Sequence, residues 1–577
     1  MNVNPDLNNL FPYFRKSMNY LMKQGEEFAE KYPAVAKELN FSSNKVSDPH
    51  VQRLLESFAF FDARLQYQIE DQMSELSMHL LNALYPQLTA PIPSCTIVQF
   101  NKIVNISQKR NIVIPKSTKI KINNNNNKEC TFTTTSTLEF NSSKINNIQY
   151  IKFDQTNIED TNTFLLSISI TKLTNQNLVL FINSDLFTSF ALYENIMAYK
   201  YSEDTPVFAA DAKNQLINPN PIGYIKAKGF STEDSLFSSS KYTRDIHRTL
   251  LEYSAFPEKF LFFEIVFTES IQNENVNLII PLSKNSNPHL TRLHDNILCT
   301  NCVPAINLFQ KKSEPLIVTH EDEEYKLIPN HNDDNFEVHS VEKIYEYDSQ
   351  STNGKREYAN YFGFSNTENS KFYYVKQKLS NKGGTDTYIS FIDANMNVEQ
   401  INTSTVFADL LCTNRLEAHD INVNSHFHVY NIDGVYCQNL IQPTKPEYPN
   451  NGKALWNIVS NLALNHVDLA VNTDQIVTLQ KMFEIYNLRS DIAQYSKSII
   501  KIEYDESAVR HPQFATSVVP KVTFKLFVNS YTSEIFMLSL ILGNIIIEAR
   551  PFNTLIEIIL FKISDPKIPW KKIELKL

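Results

Sequence analysis

The sequence predicts a multidomain α+β protein, with a long-helix region at the N-terminus, β-rich middle domains and a mixed α/β C-terminal domain. Three observations lead there. Apolar residues between Pro49 and Leu84 recur at spacings of three and four, which is the signature of one helix face. Beyond Pro91 and Pro93 the pattern changes to apolar–polar alternation, the period of a strand. In the last third both patterns occur. A chain of 577 residues holds roughly three to four domains of ~150 residues. The composition changes divide it into a helical region at 1–93, β-rich domains at 94–295 and 296–440, and an α/β domain at 441–577.

The first helix is marked by Phe14, Met18, Leu21 and Phe28 on one face, and Pro33 interrupts it. The second has a clear start, because Ser47 or Asp48 can cap free N–H groups and Pro49 suits the first turn. Val51, Leu54, Phe58, Phe61, Leu65, Ile69, Met73, Leu76, Leu80 and Leu84 then form a continuous stripe, ended by Pro86. A helix from Pro49 to Leu84 is about 54 Å long at ~1.5 Å per residue, far beyond the usual three turns. Something long must pack along it, and a partner chain is the natural candidate. Strands are expected at Ile112–Ile114, Thr118–Ile122, Thr131–Phe140, Leu178–Ile182, Phe260–Phe263, Asn277–Ile280, Phe372–Lys376 and Tyr388–Asp393, with a helix near Ser189–Met197. Toward the C-terminus, Leu455–Leu464 reads as helix. Another follows Thr473, with Ile476, Leu479, Phe483 and Tyr486 on one face, and Val522–Val528 alternates as a strand. Ile535–Leu542 is apolar throughout, and periodicity alone cannot choose between buried helix and buried strand.

Composition narrows the function classes. The net charge of −9 argues against nucleic acid as a partner, since phosphate binding needs a basic face. The one notable charge cluster is acidic, Glu321 to Glu324. Residues Met1 to Asn9 are polar and lack the apolar core of an export signal. The apolar run Ile535 to Ile547 is broken by Ser539, Gly543 and Asn544, short of the ~20 residues a membrane span needs. Six cysteines in this length do not make a disulfide scaffold. A soluble cytoplasmic protein is expected. The 10 glycines are few, so turns in the left-handed region must fall largely to Asn and Asp. The run Asn123 to Asn127 fits such use, and equally a drift in composition.

Catalytic signatures are absent: no phosphate-binding Gly-x-x-x-x-Gly-Lys, dinucleotide Gly-x-Gly-x-x-Gly, His-Glu-x-x-His or Gly-x-Ser-x-Gly. Cys299-Thr300-Asn301-Cys302 is a lone Cys-x-x-Cys without a second pair to complete a zinc site. It reads as two buried small hydrophobes rather than a redox motif. His419, His426 and His428 lie between Cys412 and Cys437, and His426 and His428 share one strand face. A metal-dependent enzyme built on Cys412 and these histidines is the alternative from another class, but no further ligand completes the site. No cofactor, metal or catalytic residue is expected. Arg53, Glu56, Asp62 and Arg64 fall mostly off the apolar stripe, suited to a solvated face or to ladders along a helix–helix seam.

The opening segment Asp48-Pro49-His50-Val51, Arg53-Leu54, Glu56, Phe58-Ala59-Phe60 and Ala63-Arg64 resembles the signature of the TssF family of type VI secretion baseplate proteins. It is preceded by Leu10-Phe11-Pro12-Tyr13-Phe14, Phe28-Ala29 and Tyr32-Pro33, and followed by Leu84-Tyr85-Pro86 and Pro91-Ile92-Pro93-Ser94. Similar segments continue in order: Leu251-Glu252-Tyr253, Phe256-Pro257-Glu258-Lys259-Phe260, Pro304-Ala305-Ile306-Asn307-Leu308-Phe309, Cys412-Thr413-Asn414-Arg415, Pro443-Thr444, Leu455-Trp456 and Asn461-Leu462-Ala463-Leu464-Asn465. Where the family tends to show Ile-Pro-Arg-Gly-Thr, this chain has Ile114-Pro115-Lys116-Ser117-Thr118. The family's C-terminal glycines are largely missing between Thr516 and Leu540.

The resemblance implies a structural role and no catalysis. Proteins of this family join TssG, typically two copies to one, and the core recruits TssK and TssE into a wedge. Wedges surround the spike hub, docked at the inner face of the cytoplasmic membrane through the membrane complex, and nucleate the contractile sheath. Related wedge proteins of contractile phage tails bundle long helices from two like chains and one partner. Pro49 to Tyr85 is expected in such a bundle. Its interface candidates are Val51, Leu54, Phe58, Phe61, Leu65, Ile69, Met73, Leu76 and Leu80. Trp456 and the segment Ile535 to Phe552 are candidates for contacts within or between wedges, and Pro86–Pro93 for a hinge. A wedge component of another contractile phage-tail-like device is the nearest alternative.

Overall fold

The computed structural model describes the chain except residues 1–6, 39–40, 43–44, 47–48, 85–89, 103–111, 153–163, 174–176, 200–203, 238–244, 269–274, 283–292, 295, 320–321, 332–334, 348–354, 362–370, 381–382, 393–403, 431, 433, 449–475, 477–479, 481–496, 511–517, 530–532, 549–554, 564–568 and 575–577. The chain forms two compact units, one of residues 1–83 with 450–463 and the other of residues 84–449 with 464–577.

In the first unit, helix α1 spans Leu7–Lys31, α2 spans Pro33–Glu38, a two-residue hairpin pairs Phe41–Ser42 with Lys45–Val46, and α3 spans Pro49–Leu84. The start at Pro49 and the 36-residue length of α3 match what its apolar spacing and flanking prolines demand. Ser47 and Asp48, the expected cap, lie outside the described residues.

The second unit is β-rich and nested. A closed barrel takes its six strands, in order around the barrel, from Cys302–Ile306, Cys95–Lys102, Val435–Asn439, His426–Val429, Lys119–Asn123 and Glu129–Thr134. Between the barrel strands ending at Thr134 and starting at Cys302 the chain builds an eight-stranded antiparallel sheet. Its order is 298–300, 178–182, 262–267, 223–228, 205–210, 275–281, 164–171 and 144–152. Between Ile306 and His426 it builds a second eight-stranded sheet from segments between Phe309 and Thr413. The barrel therefore draws strands from both sides of residue 295. Helices α4 (Leu186–Met197) and α5 (Asp245–Ala255) accompany the first sheet. The strand expected at Phe260–Phe263 begins at Phe262, because Pro257–Phe260 winds as a 3-10 turn. The expected strand Thr131–Phe140 is divided into Glu129–Thr134 and Leu138–Glu139.

The C-terminal sheet orders Ile499–Arg510, Val518–Val528, Leu555–Lys562 and Pro569–Glu574. Its two middle strands are parallel, which requires a crossover, and helix α6 (Glu534–Glu548) supplies it. The apolar run that periodicity left undecided is thus a helix. Ile535 to Leu538 and Leu540 to Leu542 are all buried, since α6 packs against α4, α5 and the strand Leu555–Lys562. Its interior polar groups are satisfied by their own backbone: the Ser539 hydroxyl donates to the Ile535 carbonyl at 2.7 Å and the Asn544 amide to that of Leu540 at 2.9 Å. This is how polar residues persist in a buried helix. Among the described residues no helix is long and apolar enough to cross a membrane. The expected helices at Leu455–Leu464 and after Thr473 lie outside the description, apart from helical positions at Ile476 and Gln480.

Candidate partner interface

The apolar stripe of α3 faces outward. Leu54, Phe58, Phe61, Leu65 and Ile69 are each between 58% and 65% exposed, and Val51 at the head of the stripe is half-buried. At 3.6 residues per turn these six share an arc of about 80°, and from Leu54 to Ile69 they run for about 22 Å. The face that packs against α1 is another one. Ala59 and Ala63, one turn apart, are fully buried together with Leu10 and Ser17 of α1. They lie more than a third of the way round the helix from the stripe. Small side chains occupy this face, and polar groups tie it to α1. The Ser17 hydroxyl donates to the Asp62 carboxylate at 2.5 Å, and the Gln66 amide donates to the same carboxylate oxygen at 2.8 Å. Tyr13 and Tyr67 meet edge to face at 6.0 Å.

Met73, Leu76 and Leu80 continue the same helix, but their side chains, like all of Trp456, lie outside the described residues. Tyr85 and residues 86–89, half of the Pro86–Pro93 segment, do as well. Of the charged residues on α3, Asp62 belongs to the α1 seam, and Glu56 accepts from Gln52 at 2.9 Å on the exposed surface. Sequence reasoning missed Phe11 and Tyr20, which are also exposed on α1. Nine residues apart, they stand half a turn from each other, so no single stripe announces them.

Segments that carry the family resemblance meet at the joints of the second unit. Asn307, where the chain leaves the barrel for the second sheet, and Asn414, where it returns, are both fully buried. The Asn414 N–H donates to the Asn307 side-chain oxygen at 2.7 Å, and the Asn307 amide donates to the Asn414 side-chain oxygen at 2.8 Å. The same pair clamps a barrel strand, through the Asn307 amide to the Thr131 carbonyl at 2.7 Å and the Thr131 N–H to Asn414 at 3.0 Å. Thr444 pairs with Cys95 by side chain and by backbone, both at 2.9 Å. Glu252 on α5 accepts from Ser235 at 2.9 Å and from the Leu236 N–H at 2.8 Å, and forms a buried ion pair with Lys259. Burial pulls the Lys259 ammonium below the usual lysine value, against the opposing pull of Glu252. In the second sheet Glu337 accepts from the Thr385 N–H at 2.5 Å and the Thr385 hydroxyl at 2.8 Å. Burial raises its carboxyl above the usual range. Beside it Arg415 reaches the Gly383 carbonyl at 2.6 Å and Asp386 at 2.9 Å.

The histidines stand apart from such networks. His426 and His428 point outward from the barrel and meet Tyr436 and Tyr430 edge to face at 5.7 and 5.3 Å. The Nδ1 of His419 is 2.7 Å from the Pro443 carbonyl oxygen. Cys412 is fully buried, and burial pushes its thiol up to about 12. Among the described residues no three His, Cys, Asp or Glu side chains cluster closely enough to hold a metal.

The family described as "Type VI secretion system, TssF" matches residues 7–546. The chain is 24% identical over 535 residues to the type VI secretion system component TssF1 of Pseudomonas aeruginosa, an alignment covering 84% of each protein. Its fold is similar to a chain of a TssK–TssF–TssG baseplate subcomplex solved by cryo-electron microscopy. There the TM-score is 0.72 at 20% identity, over 91% of this chain and 98% of the other. It is also similar to a chain of a type VI secretion baseplate complex, with TM-score 0.55 and 18% identity over 98% and 99% of the two.

Proposed function

The chain belongs to the TssF family of the type VI secretion system, and from that premise we propose that it is a structural wedge subunit of the secretion baseplate. Its partners are a TssG-like subunit, TssK and TssE, arranged around the spike hub, and the assembled wedges support growth of the contractile sheath and tube. Two copies of this chain join each TssG-like subunit on the cytoplasmic side of the membrane. The chain acts as a mechanical element and makes or breaks no bond.

The observation that carries this reading is the uncovered stripe on α3 in a chain of this family. An exposed row of Leu, Phe and Ile over about 22 Å exceeds the scattered apolar residues normal for a surface and marks an interaction site. A bundle of long helices is the partner geometry that covers a straight stripe along its length. The helical region at 1–93 supplies the bundle. The barrel, the two large sheets inserted in it and the C-terminal sheet form the body of the wedge, with Trp456 a candidate for its contacts, whereas Ile535 to Leu542, expected among those contacts, is covered within the chain. That two structures of similar fold come from baseplate complexes supports the assignment.

Co-expression with the TssG-like protein encoded beside it, followed by size-exclusion chromatography with light-scattering mass, tests the proposal. A stable complex whose mass fits two copies of this chain per partner is expected. A chain that elutes as a monomer and ignores that partner defeats it.

A further inference from the structure

Two of the chain stretches that lead between the two units, one ending at Ile92 and one starting at Glu447, are fastened to each other inside the second unit. The Ile92 N–H donates to the Glu447 carbonyl at 2.7 Å and the Glu447 N–H to that of Ile92 at 3.1 Å. Behind this rung, Cys95 and Thr444 pair by backbone and by side chain, both at 2.9 Å. Pro91, Pro93 and Pro446 flank the rung, and their fixed φ keeps both arms extended. The next rung outward would pair Ala90 with Pro449, which has no N–H to donate. The pairing therefore ends on two backbone bonds. Two contacts with the second sheet secure it. The Tyr448 hydroxyl donates to the Glu337 carboxylate at 3.3 Å. His339, left over where the register of the strand Glu337–Tyr347 slips between Val338 and Ser340, bonds the Pro91 carbonyl, as the re-aimed residue of a bulge can. Gly384 leaves room for the first contact, since a Cβ there would stand 2.7 Å from the Glu337 Oε1 and 2.9 Å from the Tyr448 hydroxyl.

We propose that this rung is a releasable clasp: Ile92 and Glu447, latched by Tyr448 on Glu337, open together while the barrel stays folded, and the opening gives slack to both connections at once. A rung of two backbone bonds contrasts with the barrel behind it, whose strands are hydrogen-bonded on both sides. Local opening begins in such thinly bonded segments. Cys95 and Thr444 hold when the clasp opens, so each arm gains three residues, from Ile92 back to Cys95 and from Glu447 back to Thr444. That is up to about 10 Å of extended chain per arm. Because the two arms are equal in length, both connections gain the same slack and neither draws a strand out of the barrel. The bend in the chain then lies at the clasp and is not spread over Pro86–Pro93.

The test is hydrogen–deuterium exchange of the full-length chain, read at single amides by fragmentation in the mass spectrometer. The Ile92 and Glu447 amides are expected to show protection within about threefold of each other, as one opening exposes both. Both should exchange at least about tenfold faster than the Leu440 amide, which donates to the barrel strand at the Ile97 carbonyl at 2.8 Å. Tyr448→Phe removes the latch and should speed Ile92 and Glu447 together by about three- to tenfold, with Leu440 changed less than about twofold. Gly384→Ala, which crowds Glu337 and Tyr448 apart, provides a second variant with the same expected pattern. Unrelated rates at Ile92 and Glu447 overturn the proposal, as does protection at both equal to that of Leu440. A latch variant that speeds only one of the pair, or that speeds Leu440 equally, overturns it too.

Discussion

Placing carboxylates at Phe58 and Leu65 separates the two faces of α3. Both side chains are more than half exposed, and neither belongs to the seam that Ala59 and Ala63 form with α1. The double substitution Phe58→Asp and Leu65→Asp therefore changes the stability of the isolated chain by no more than about 0.5 kcal/mol per site, as for ordinary surface positions. Covering the two side chains against a partner is another matter. Burying such a side chain completely is worth about 1.5–3 kcal/mol, so covering the exposed fraction of each contributes about 1–2 kcal/mol. The pair loses about 2–4 kcal/mol, or roughly 30- to 700-fold in Kd. Two carboxylates without partners in an apolar seam cost more still. The assay is titration of the labelled TssG-like partner with the wild-type and doubly substituted chains, with thermal unfolding of each chain alone. Arg53→Gln, off the stripe, serves as the control and leaves Kd within about threefold. A double variant that binds as the wild type does removes the stripe from the interface. A double variant that fails to fold shows that the stripe is held within the chain, which equally refutes the reasoning.

Three other outcomes follow from the second unit. Asn414→Ala removes the acceptor of the Thr131 N–H and of one Asn307 amide N–H, both buried, and should lower stability by about 2–4 kcal/mol in urea unfolding; a loss under about 1 kcal/mol means the asparagine pair is not a clamp. Ser117→Gly should stabilise the chain by about 0.5–1 kcal/mol, because Ser117 holds φ 65°, a region that costs a side-chain-bearing residue strain and glycine little. An unchanged or lower urea midpoint contradicts it. Burial lowers the His339 imidazole to about 4 from its usual value. Its stabilising contribution is full above about pH 6.5 and is lost as pH falls toward about 4, since only the unfolded chain takes up the proton in that window. Urea midpoints at pH 7.5 and 5.0 should therefore converge in His339→Gln relative to the wild type, and equal pH slopes in the two chains would exclude the histidine as a source.

What the sequence made legible follows from how local each signal is. The bounds of α3 were readable because a helix writes its period and its prolines into contiguous residues. Asparagine as a substitute for glycine was readable too: Asn127, Asn214, Asn301 and Asn424 all take positive φ. Asn124 closes the hairpin turn by accepting the N–H groups of Asn126 and Lys128, each at 2.9 Å. Lys172 and Arg415, also at positive φ, gave no such signal. The barrel was illegible, since its strands come from segments as far apart as Cys95 and Asn439 and nothing local tells a strand which distant neighbour it will pair. The face of α3 used within the chain was hidden for a different reason. Alanine carries little hydrophobic weight, so the apolar moment points to Phe58 and Leu65 while the intramolecular seam rests on Ala59 and Ala63.

That division of labour bears on how the chain works. Several described residues of the second unit that carry the family resemblance lie at joints, not on an open surface. Asn307 and Asn414 clamp the second sheet to the barrel, Thr444 ties the returning chain to Cys95, and Glu252 with Lys259 pins the loop at 231–237 to α5. The Asn307–Asn414 and Glu252–Lys259 contacts are buried and satisfied on several sides, and such contacts specify one geometry and lose several kcal/mol when disturbed. Apolar packing alone tolerates sliding between well-covered faces, whereas directional bonds at a joint do not. Under the proposed wedge function, such locks would hold the inserted domains to their frame against the load of a contracting sheath. The exposed stripe of α3 meets the complementary requirement, a straight apolar surface that a partner helix can cover over its whole length.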